Sequence, residues 1–228
     1  MPLLLIVDTS GKDGSLALAQ ATPSSATEIE IQATIPISGG TFSAQLIPQI
    51  AALLETCGYA KKDLDAFVVI NGPGSFTGLR VGLVAVKALS EALQKPIAAV
   101  SLLEAIAASV PNRLRVLAAL DAGRNEVYVG DYEVSEPPKK NSERLWSREE
   151  LAGEAKTHSI PITTPDEVLA DFFRSRGMKV EQIDRPGSKI LATLGWLHLQ
   201  RNETVPADQL DANYVRNTDA ELFAKPSR

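Results

Sequence analysis

Residues 72–80 of the chain, GPGSFTGLR, have the composition of a loop that could bind an anion. They follow the apolar run 65–71 and lead directly into a second apolar segment, which predicts a turn between a buried strand and a helix. Thr77 lies where the N-cap residue is expected, and the free N–H groups at a helix N-terminus attract negative charge. The alternative is a plain strand-to-helix connection whose glycines only permit positive φ angles, because the segment is neither a Walker loop nor GxGxxG. This signature loop comprises Gly72, Pro73, Gly74, Ser75, Phe76, Thr77, Gly78 and Arg80.

Other residue types that could support catalysis are few and scattered. Cys57, the single cysteine in the sequence, lies on the apolar stripe of a predicted helix, where an inert core thiol is expected rather than a nucleophile. His158 and His198 are far apart in sequence and neither has a nearby histidine partner, so no metal site is expected. His198 lies among the apolar neighbours of GWLHLQ and is expected on a helix face. The sequence shows no Ser-His-Asp or Cys-His arrangement that would support a peptidase.

Composition restricts the class of protein. The 228 residues allow one large or two modest domains, and a hydrophobic content of 44% is sufficient for a core. A net charge of −5 and a pI near 5.2 give no basic surface for nucleic acid. No apolar run approaches the roughly 20 residues of a membrane span, and the first residues lack the basic start of a signal peptide. We therefore expect a cytoplasmic protein without membrane association, which serves RNA only through another protein.

The elements that position the signature loop follow the order βββαβαβα. Alternating and continuous apolar runs predict strands at 3–8, 15–20 and 27–35, which favours a three-stranded antiparallel meander with a turn at 21–26. Pro48 favours a later start for the next helix, which the apolar spacing indicates over 44–57. Further elements are a strand at 66–71, a helix at 77–94, a strand at 96–101 and a helix at 102–109.

A second unit, at residues 115–134, repeats the opening pattern of the chain. Each unit has an apolar strand, an aspartate (Asp8 or Asp121), a polar turn and an alternating strand, for which duplication is the simplest explanation. The sequence then predicts a solvated loop at 136–144, helices near 148–156, 165–176 and 186–201, and a strand at 159–163. We therefore predict an α/β fold of two βββαβα-type subdomains, 1–105 and 106–228, of which the second is degenerate and helix 186–201 can pack back on the first.

Two such units resemble the layout of actin-like (ribonuclease H-like) ATPases, in which paired phosphate loops face each other across a cleft. A series of motifs is more narrowly similar, in order, to the bacterial TsaB family, also called YeaZ, over residues 3–134 and again near 213–217. The motifs are LLLIVDTSGKDGSLAL, SAQLIPQI, INGPGSFTGLRVGLVAVKALS, KPIAAVSLLEAIA, VLAALDAGRNEVYVGDY and NYVRN.

The resemblance implies a function in tRNA modification. The family is a non-catalytic paralogue of TsaD, the actin-like subunit that transfers threonylcarbamoyl to N6 of adenosine 37 in tRNAs reading codons that begin with A. It implies that this chain binds and activates a TsaD-type transferase subunit, and that a TsaE-type ATPase joins them. It also implies that ATP and metal belong to the partner subunits, that this chain requires no cofactor, that tRNA is contacted only indirectly, and that the isolated chain is a homodimer.

The cleft implied by the actin-like layout would be degenerate in this chain. Its residues would be Asp8, Thr9, Ser10, Asp121 and Gly123, which could face phosphate or magnesium. However, Arg124 and Asn125 stand where the second actin-like loop needs small residues and threonine, and the last third has no Gly-Gly adenosine signature. Two alternative functions remain open, an actin-like ATPase or phosphotransferase and a glycoprotease-like peptidase.

The helix predicted at 77–94 is apolar around most of its circumference. Only Arg80, Lys87, Glu91 and Gln94 share a narrow polar stripe, so the helix is either enclosed in its own domain, with helix 102–109 on its spare face, or half covered by another protein. The resemblance implies the second, with helix 44–57 in the same surface. The predicted interface comprises Leu46, Ile47, Ile50, Leu54, Leu79, Val81, Leu83, Val84, Ala85, Ala88 and Leu89.

Overall fold

The first of two five-stranded sheets is built from the N-terminal half of the chain. The computed structural model describes residues 1–25, 27–213 and 215. The strands of the first sheet are β1 (Leu3–Asp8), β2 (Gly14–Ala21), β3 (Ile29–Ile37), β4 (Ala66–Gly72) and β5 (Ile97–Ser101). Their order is β3-β2-β1-β4-β5, with β1, β2 and β3 antiparallel and with β4 and β5 added in parallel. The predicted antiparallel meander followed by parallel strands is confirmed.

The second sheet repeats this topology. Its strands are β6 (Arg115–Gly123), β7 (Glu126–Glu133), β8 (Lys139–Ser147), β9 (Ile162–Thr164) and β10 (Val180–Gln182). Read from β8, the order β8-β7-β6-β9-β10 matches the first sheet strand by strand, and the parallel and antiparallel pairings also correspond. This correspondence is what an internal duplication produces, and it confirms the predicted α/β fold of two related sheets.

One predicted loop is wrong, because β8 begins at Lys139, inside the stretch 136–144 that was expected to be a solvated loop. The strand pairs with β7 along its whole length and forms the edge of the second sheet. Its first six residues are KKNSER, and an edge strand with a half-solvated surface does not need the apolar alternation on which the sequence prediction depends.

Six α-helices connect and cover the sheets within the described residues. They are α1 (Phe42–Thr56), α2 (Phe76–Leu93), α3 (Leu102–Ala108), α4 (Arg148–His158), α5 (Glu167–Arg174) and α6 (Ser188–Gln200), with 3-10 turns at Lys61–Asp63 and Ala207–Gln209. The expected late start of α1 is wrong, since Pro48 lies inside the helix. Ala44 and Pro48 are both exposed, so water can hydrogen-bond the Ala44 carbonyl that lacks a helical partner.

Helices α3 and α6 link the two halves of the chain. Helix α3 is buried from Leu102 to Ala107 and packs mainly on strands of both sheets and on α6, rather than on the spare face of α2. The predicted subdomain boundary after residue 105 falls inside α3. Helix α6 lies against the first sheet so closely that a Cβ atom at Gly195 would overlap with the side chain of Val68. Among the described residues, no helix is both long enough and apolar enough to cross a membrane.

Candidate functional site

A cleft of about 320 Å³ lies between the two sheets, close to the carboxyl ends of β1 and β6. Its lining residues are Ser10, Gly11, Lys12, Pro73, Gly74, Ser75, Leu102, Leu120, Asp121, Ala122, Tyr128, Asp166 and Arg185. The structure therefore brings together Ser10 and Asp121, as the actin-like layout implies, and also places the first residues of the signature loop in the cleft. Arg185 and Asp166 also reach this cleft, although sequence reasoning did not select them.

Asp8 is buried behind Ser10, and its carboxylate is paired within the chain. The backbone N–H of Ser10 donates to Asp8 Oδ1 at 2.9 Å, and the Ser10 hydroxyl donates to the same oxygen. On the cleft side, Nη2 of Arg185 donates to Ser10 Oγ at 2.7 Å and lies 3.5 Å from Asp8 Oδ2. With 6% of the Asp8 side chain exposed, the guanidinium is the cation that neutralises it.

Thr9 points away from the cleft and into the packing beneath α2. Its side chain is buried against Gly82, where a Cβ atom would overlap with Thr9 Oγ1. Within the described part of the chain, no hydrogen-bond partner reaches this hydroxyl. Thr9 therefore packs the turn against the helix, whereas the hydroxyl of Ser10 faces the cleft.

On the second sheet, Asp121 is more exposed than Asp8 and is also paired with an arginine. Nη2 of Arg148 lies 3.3 Å from Asp121 Oδ1, and the Asp121 N–H donates to Asp166 Oδ2 at 2.7 Å. Gly123 adopts a φ of 73°, and its N–H donates to Asp121 Oδ1 at 3.4 Å.

The turn that follows Gly123 is a hairpin rather than a loop around a ligand. Arg124 and Asn125 both have positive φ angles, 53° and 66°, and alone separate β6 from β7. Two successive residues with positive φ are typical of the type I′ turn that closes a two-residue hairpin. This conformation accounts for the residues that depart from the small residues and threonine of the actin-like second loop.

The glycines of the signature loop let α2 approach the turn after β1. A Cβ atom at Gly74 would overlap with the carbonyl oxygen of Ser10, and one at Gly78 would overlap with that of Thr9. The Ser75 N–H donates to the Ser10 carbonyl at 2.7 Å, and the Ser75 hydroxyl accepts from the Gly78 N–H at 3.3 Å. Ser75, not Thr77, is therefore the N-cap, because the helix begins one residue earlier than predicted.

A buried polar cluster that sequence reasoning missed lies near the start of the signature loop. The carboxylate of Glu143, 5% exposed, accepts hydrogen bonds from Ser101 Oγ, Tyr132 OH and Asn213 Nδ2. Burial and the neighbouring Glu143 raise the pKa of the Tyr132 phenol well above its ordinary value, so the phenol stays protonated and donates. The Asn213 N–H donates to the Asn71 carbonyl at 2.7 Å, which attaches the C-terminal segment to the end of β4.

The two histidines occupy separate places. His198 on α6 has Nε2 3.0 Å from Glu104 Oε1 and Nδ1 2.7 Å from Glu203 Oε2, so it is more enclosed than the expected helix-face residue. His158 ends α4, 3.4 Å from Glu154. In the described part of the chain, no group of three or more histidine, cysteine, aspartate or glutamate residues could hold a metal ion. Cys57 is half-buried just after α1 and is a free thiol.

The predicted interface residues separate into three groups. Leu46, Ile50, Leu54, Leu79 and Leu83 are buried in the chain's own core and cannot contact a partner in this conformation. Val81, Ala85 and Leu89 are half-buried. Ile47, Val84 and Ala88 are exposed.

The exposed members belong to an apolar surface on α1 and α2, which we call the α1–α2 face. Ile47 is 51% exposed and Val84 64% exposed, and Ala44, Pro48 and Ala51 on α1 are also exposed. Phe76 lies at the start of α2 with the guanidinium of Arg80 3.7 Å from its ring centre. The 3-10 turn Ala207–Gln209 contacts another side of α2, so the C-terminal segment covers part of the spare apolar surface.

Comparisons with known proteins identify relatives of this chain. The family model of TsaD, a tRNA N6-adenosine threonylcarbamoyltransferase, matches residues 36–142. The chain is 34% identical over 131 residues to the tRNA threonylcarbamoyladenosine biosynthesis protein TsaB of Bacillus subtilis, an alignment that covers 57% of this chain and 55% of that protein. It is 24% identical to the Escherichia coli protein of the same name, over 95% of this chain and 96% of the relative.

A solved structure agrees along nearly the whole chain. YeaZ from Pseudomonas aeruginosa superposes with a TM-score of 0.74 at 27% identity, covering 94% of this chain and 100% of that one. In sequence and in fold the chain is therefore similar to the TsaB (YeaZ) proteins. Three of the segments that resemble TsaB, namely the Asp8 turn, α1 and the signature loop, meet around the start of α2. Of the C-terminal motif NYVRN, only Asn213 and Val215 lie within the described residues.

Proposed function

We propose that this chain is a non-catalytic partner that activates a TsaD-type transferase subunit in forming N6-threonylcarbamoyladenosine at position 37 of tRNAs reading codons that begin with A. Relatives named for this biosynthesis support the pathway, and the alignment with one of them extends over almost the full length. The structural observation that carries the partner role is the exposed α1–α2 face. A TsaE-type ATPase completes the proposed assembly, in which ATP and metal are held by the partner subunits.

The cleft supports a role without chemistry of its own. An actin-like phosphotransferase would need carboxylates that are free to hold a magnesium–phosphate complex. Here Asp8 is buried and paired with Arg185, and Asp121 is paired with Arg148. The hairpin turn at Arg124 and Asn125 also leaves the second side of the cleft without a loop that could surround a phosphate. We therefore propose that the isolated chain neither binds nor hydrolyses ATP.

The α1–α2 face favours protein association over exposure to water. Ile47 and Val84 are large apolar side chains that are more than half exposed. Alanine and proline residues surround them on α1, and the small side chains let another helix approach closely. We propose that this face pairs with a second copy when the chain is alone and with the transferase subunit when that subunit is present.

The first test is size-exclusion chromatography with light scattering, on the chain alone and mixed with a TsaD-type subunit from a TsaB-containing bacterium. We expect a homodimer of the 24.4 kDa chain that gives way to a 1:1 complex. A reconstituted modification assay should then show threonylcarbamoyladenosine only when the chain is present. A chain that stays monomeric and does not bind the transferase subunit would contradict the proposal. Binding of ATP by the isolated chain, measured by calorimetry, would favour the phosphotransferase alternative instead.

A further inference from the structure

Arg185 lies in the short segment that leads from the second sheet to α6. The Ile183 N–H donates to the carbonyl of Thr164 at the end of β9, at 3.1 Å, so the segment begins on the second sheet. Two residues later, Nη2 of Arg185 contacts Ser10 and Asp8 on the first sheet. The side chain therefore joins the two halves of the molecule at the cleft.

The turn that Arg185 contacts also fixes the start of α2. The Ser10 carbonyl accepts the Ser75 N–H, and neither Gly74 nor Gly78 leaves room for a Cβ atom against the turn. Because there is no free space between the turn and the helix, a displacement of Ser10 must displace the first turns of α2. These turns lead directly into the part of the helix that exposes Val84.

We propose that Arg185 is a positioning residue that bridges the two halves of the chain. It holds the Thr9–Ser10 turn from the opposite sheet and, through that turn, keeps the signature loop and α2 in the arrangement that a partner binds. The cation at Asp8 is covalently part of the chain, so this bridge needs no bound ligand. The effect on partner binding rests on the proposed function, whereas the bridge itself does not.

Three substitutions separate charge from packing. Arg185→Met keeps an unbranched apolar side chain but removes the donors, and Arg185→Lys restores one charged donor. Lysine should rescue the bridge, because a single nitrogen of Arg185 makes both contacts. Lys12→Met is the matched control, since Lys12 is exposed and lines the same cleft.

The first readout is hydrogen–deuterium exchange of residues 72–80, followed by mass spectrometry. We expect exchange of these amides to rise at least about threefold in Arg185→Met, while Arg185→Lys and Lys12→Met stay close to wild type. Thermal melts followed by circular dichroism should show that all three variants are folded, since the Arg185 side chain is 39% exposed. An exchange rate in Arg185→Met equal to that of wild type would overturn the bridge. An equal rise in exchange in the Met and Lys variants would also overturn it.

The second readout is calorimetric affinity for the TsaD-type subunit. We expect Arg185→Met to weaken binding by about three- to tenfold, as for loss of a charged hydrogen bond, and Arg185→Lys to recover it. Faster exchange with unchanged affinity would overturn the positioning role. If the wild-type chain fails to bind the subunit, the proposed function fails, and the exchange comparison still decides whether Arg185 holds the loop.

Discussion

The two copies of the strand–aspartate–turn–strand unit share a topology but differ in what surrounds the turn. In the first copy, the turn after β1 is buried beneath α2, and Asp8, Thr9 and Ser10 are all at most 5% exposed. In the second copy, the turn after β6 is the open hairpin Arg124–Asn125. The two halves therefore share a strand order while their turns differ: one turn supports a helix, and the other only closes a two-residue hairpin.

The residues that produce this difference lie in the helices that follow β4 and β9. Helix α2 has Gly78 and Gly82, which with Gly74 just before it form a series four residues apart, so that successive turns of the helix contact Thr9 and Ser10. Helix α5, its counterpart in the second half, has the sequence EVLADFFR without glycine. A side chain at those positions prevents a close approach between the helix and the turn.

The largest difference in stability between the two halves is expected when one helical glycine in each half is replaced by alanine. Gly78→Ala should destabilise the chain by about 3 kcal/mol, because the new Cβ atom meets the carbonyl oxygen of Thr9. Gly153→Ala in α4 should stabilise it by roughly 0.5–1 kcal/mol, since Gly153 is exposed and no described atom lies within 4 Å of the added methyl. Urea denaturation measures both. Equal effects would show that the first turn is not packed as described.

An arginine on an exposed helix should disrupt association with other proteins in the first half of the chain but not in the second. Val84→Arg should abolish the homodimer and weaken binding of the transferase subunit at least about 100-fold, because a charge would be buried in the interface. Val168→Arg on α5 is the control, as Val168 is 74% exposed but lies outside the α1–α2 face. Light scattering and calorimetry check both variants. Leu89→Arg is less suitable because Leu89 is half-buried. If Val84→Arg still forms the homodimer and binds the transferase subunit with unchanged affinity, this face is not the interface.

Amide substitutions of the two aspartates should show the same asymmetry on a smaller scale. Asp8→Asn should cost about 1–2 kcal/mol, because it weakens the hydrogen bonds from Ser10 and leaves the Arg185 cation without its carboxylate. Asp121→Asn should stay within about 0.5 kcal/mol, because the Asp121 side chain is 45% exposed and water screens its charge. Chemical denaturation of both variants tests this, and an Asp121 effect as large as that of Asp8 would contradict the contrast.

The smallest effect should be a pH dependence from His198, which joins α6 to α3. Burial acts to lower the pKa of His198, but hydrogen bonds and charge from Glu104 and Glu203 outweigh it and raise the pKa above its ordinary value of 6.5. A raised folded-state pKa means that the contribution to stability is complete below about pH 6.5 and is lost as pH rises through the folded pKa. Urea unfolding from pH 6 to pH 9 should show this decline in wild type but not in His198→Gln.

Local patterns predicted most of the first half, because its strands and helices are apolar and follow one another closely. The repeated aspartate unit also predicted β6 and β7 of the second sheet. The pattern failed at β8, whose polar residues lie on a sheet edge, and at the cap of α2, where Ser75 and Thr77 are both suitable residue types. Exposure on α1 and α2 could not be read from apolar periodicity, since it depends on which neighbours cover each side.

The long-range contacts of the cleft had no signal in the sequence. Arg185 is 177 residues from Asp8, and an arginine after a short strand does not indicate which carboxylate it will meet. The Glu143 cluster likewise requires β5, β7, β8 and the C-terminal segment to come together. Such sites follow from the topology, and a single sequence gives their residue types without their partners.

The position of α6 has a consequence for the order in which the chain can acquire its structure during synthesis. Helix α6 packs on the first sheet, with Gly195 against Val68, although the whole second sheet is translated between them. The first sheet is complete as a set of strands by residue 101, but one of its faces stays uncovered until the ribosome has made residue 200. One apolar face of the first sheet must therefore remain exposed while the second half is translated. Chaperone protection matters most during this interval, before α6 has been synthesised.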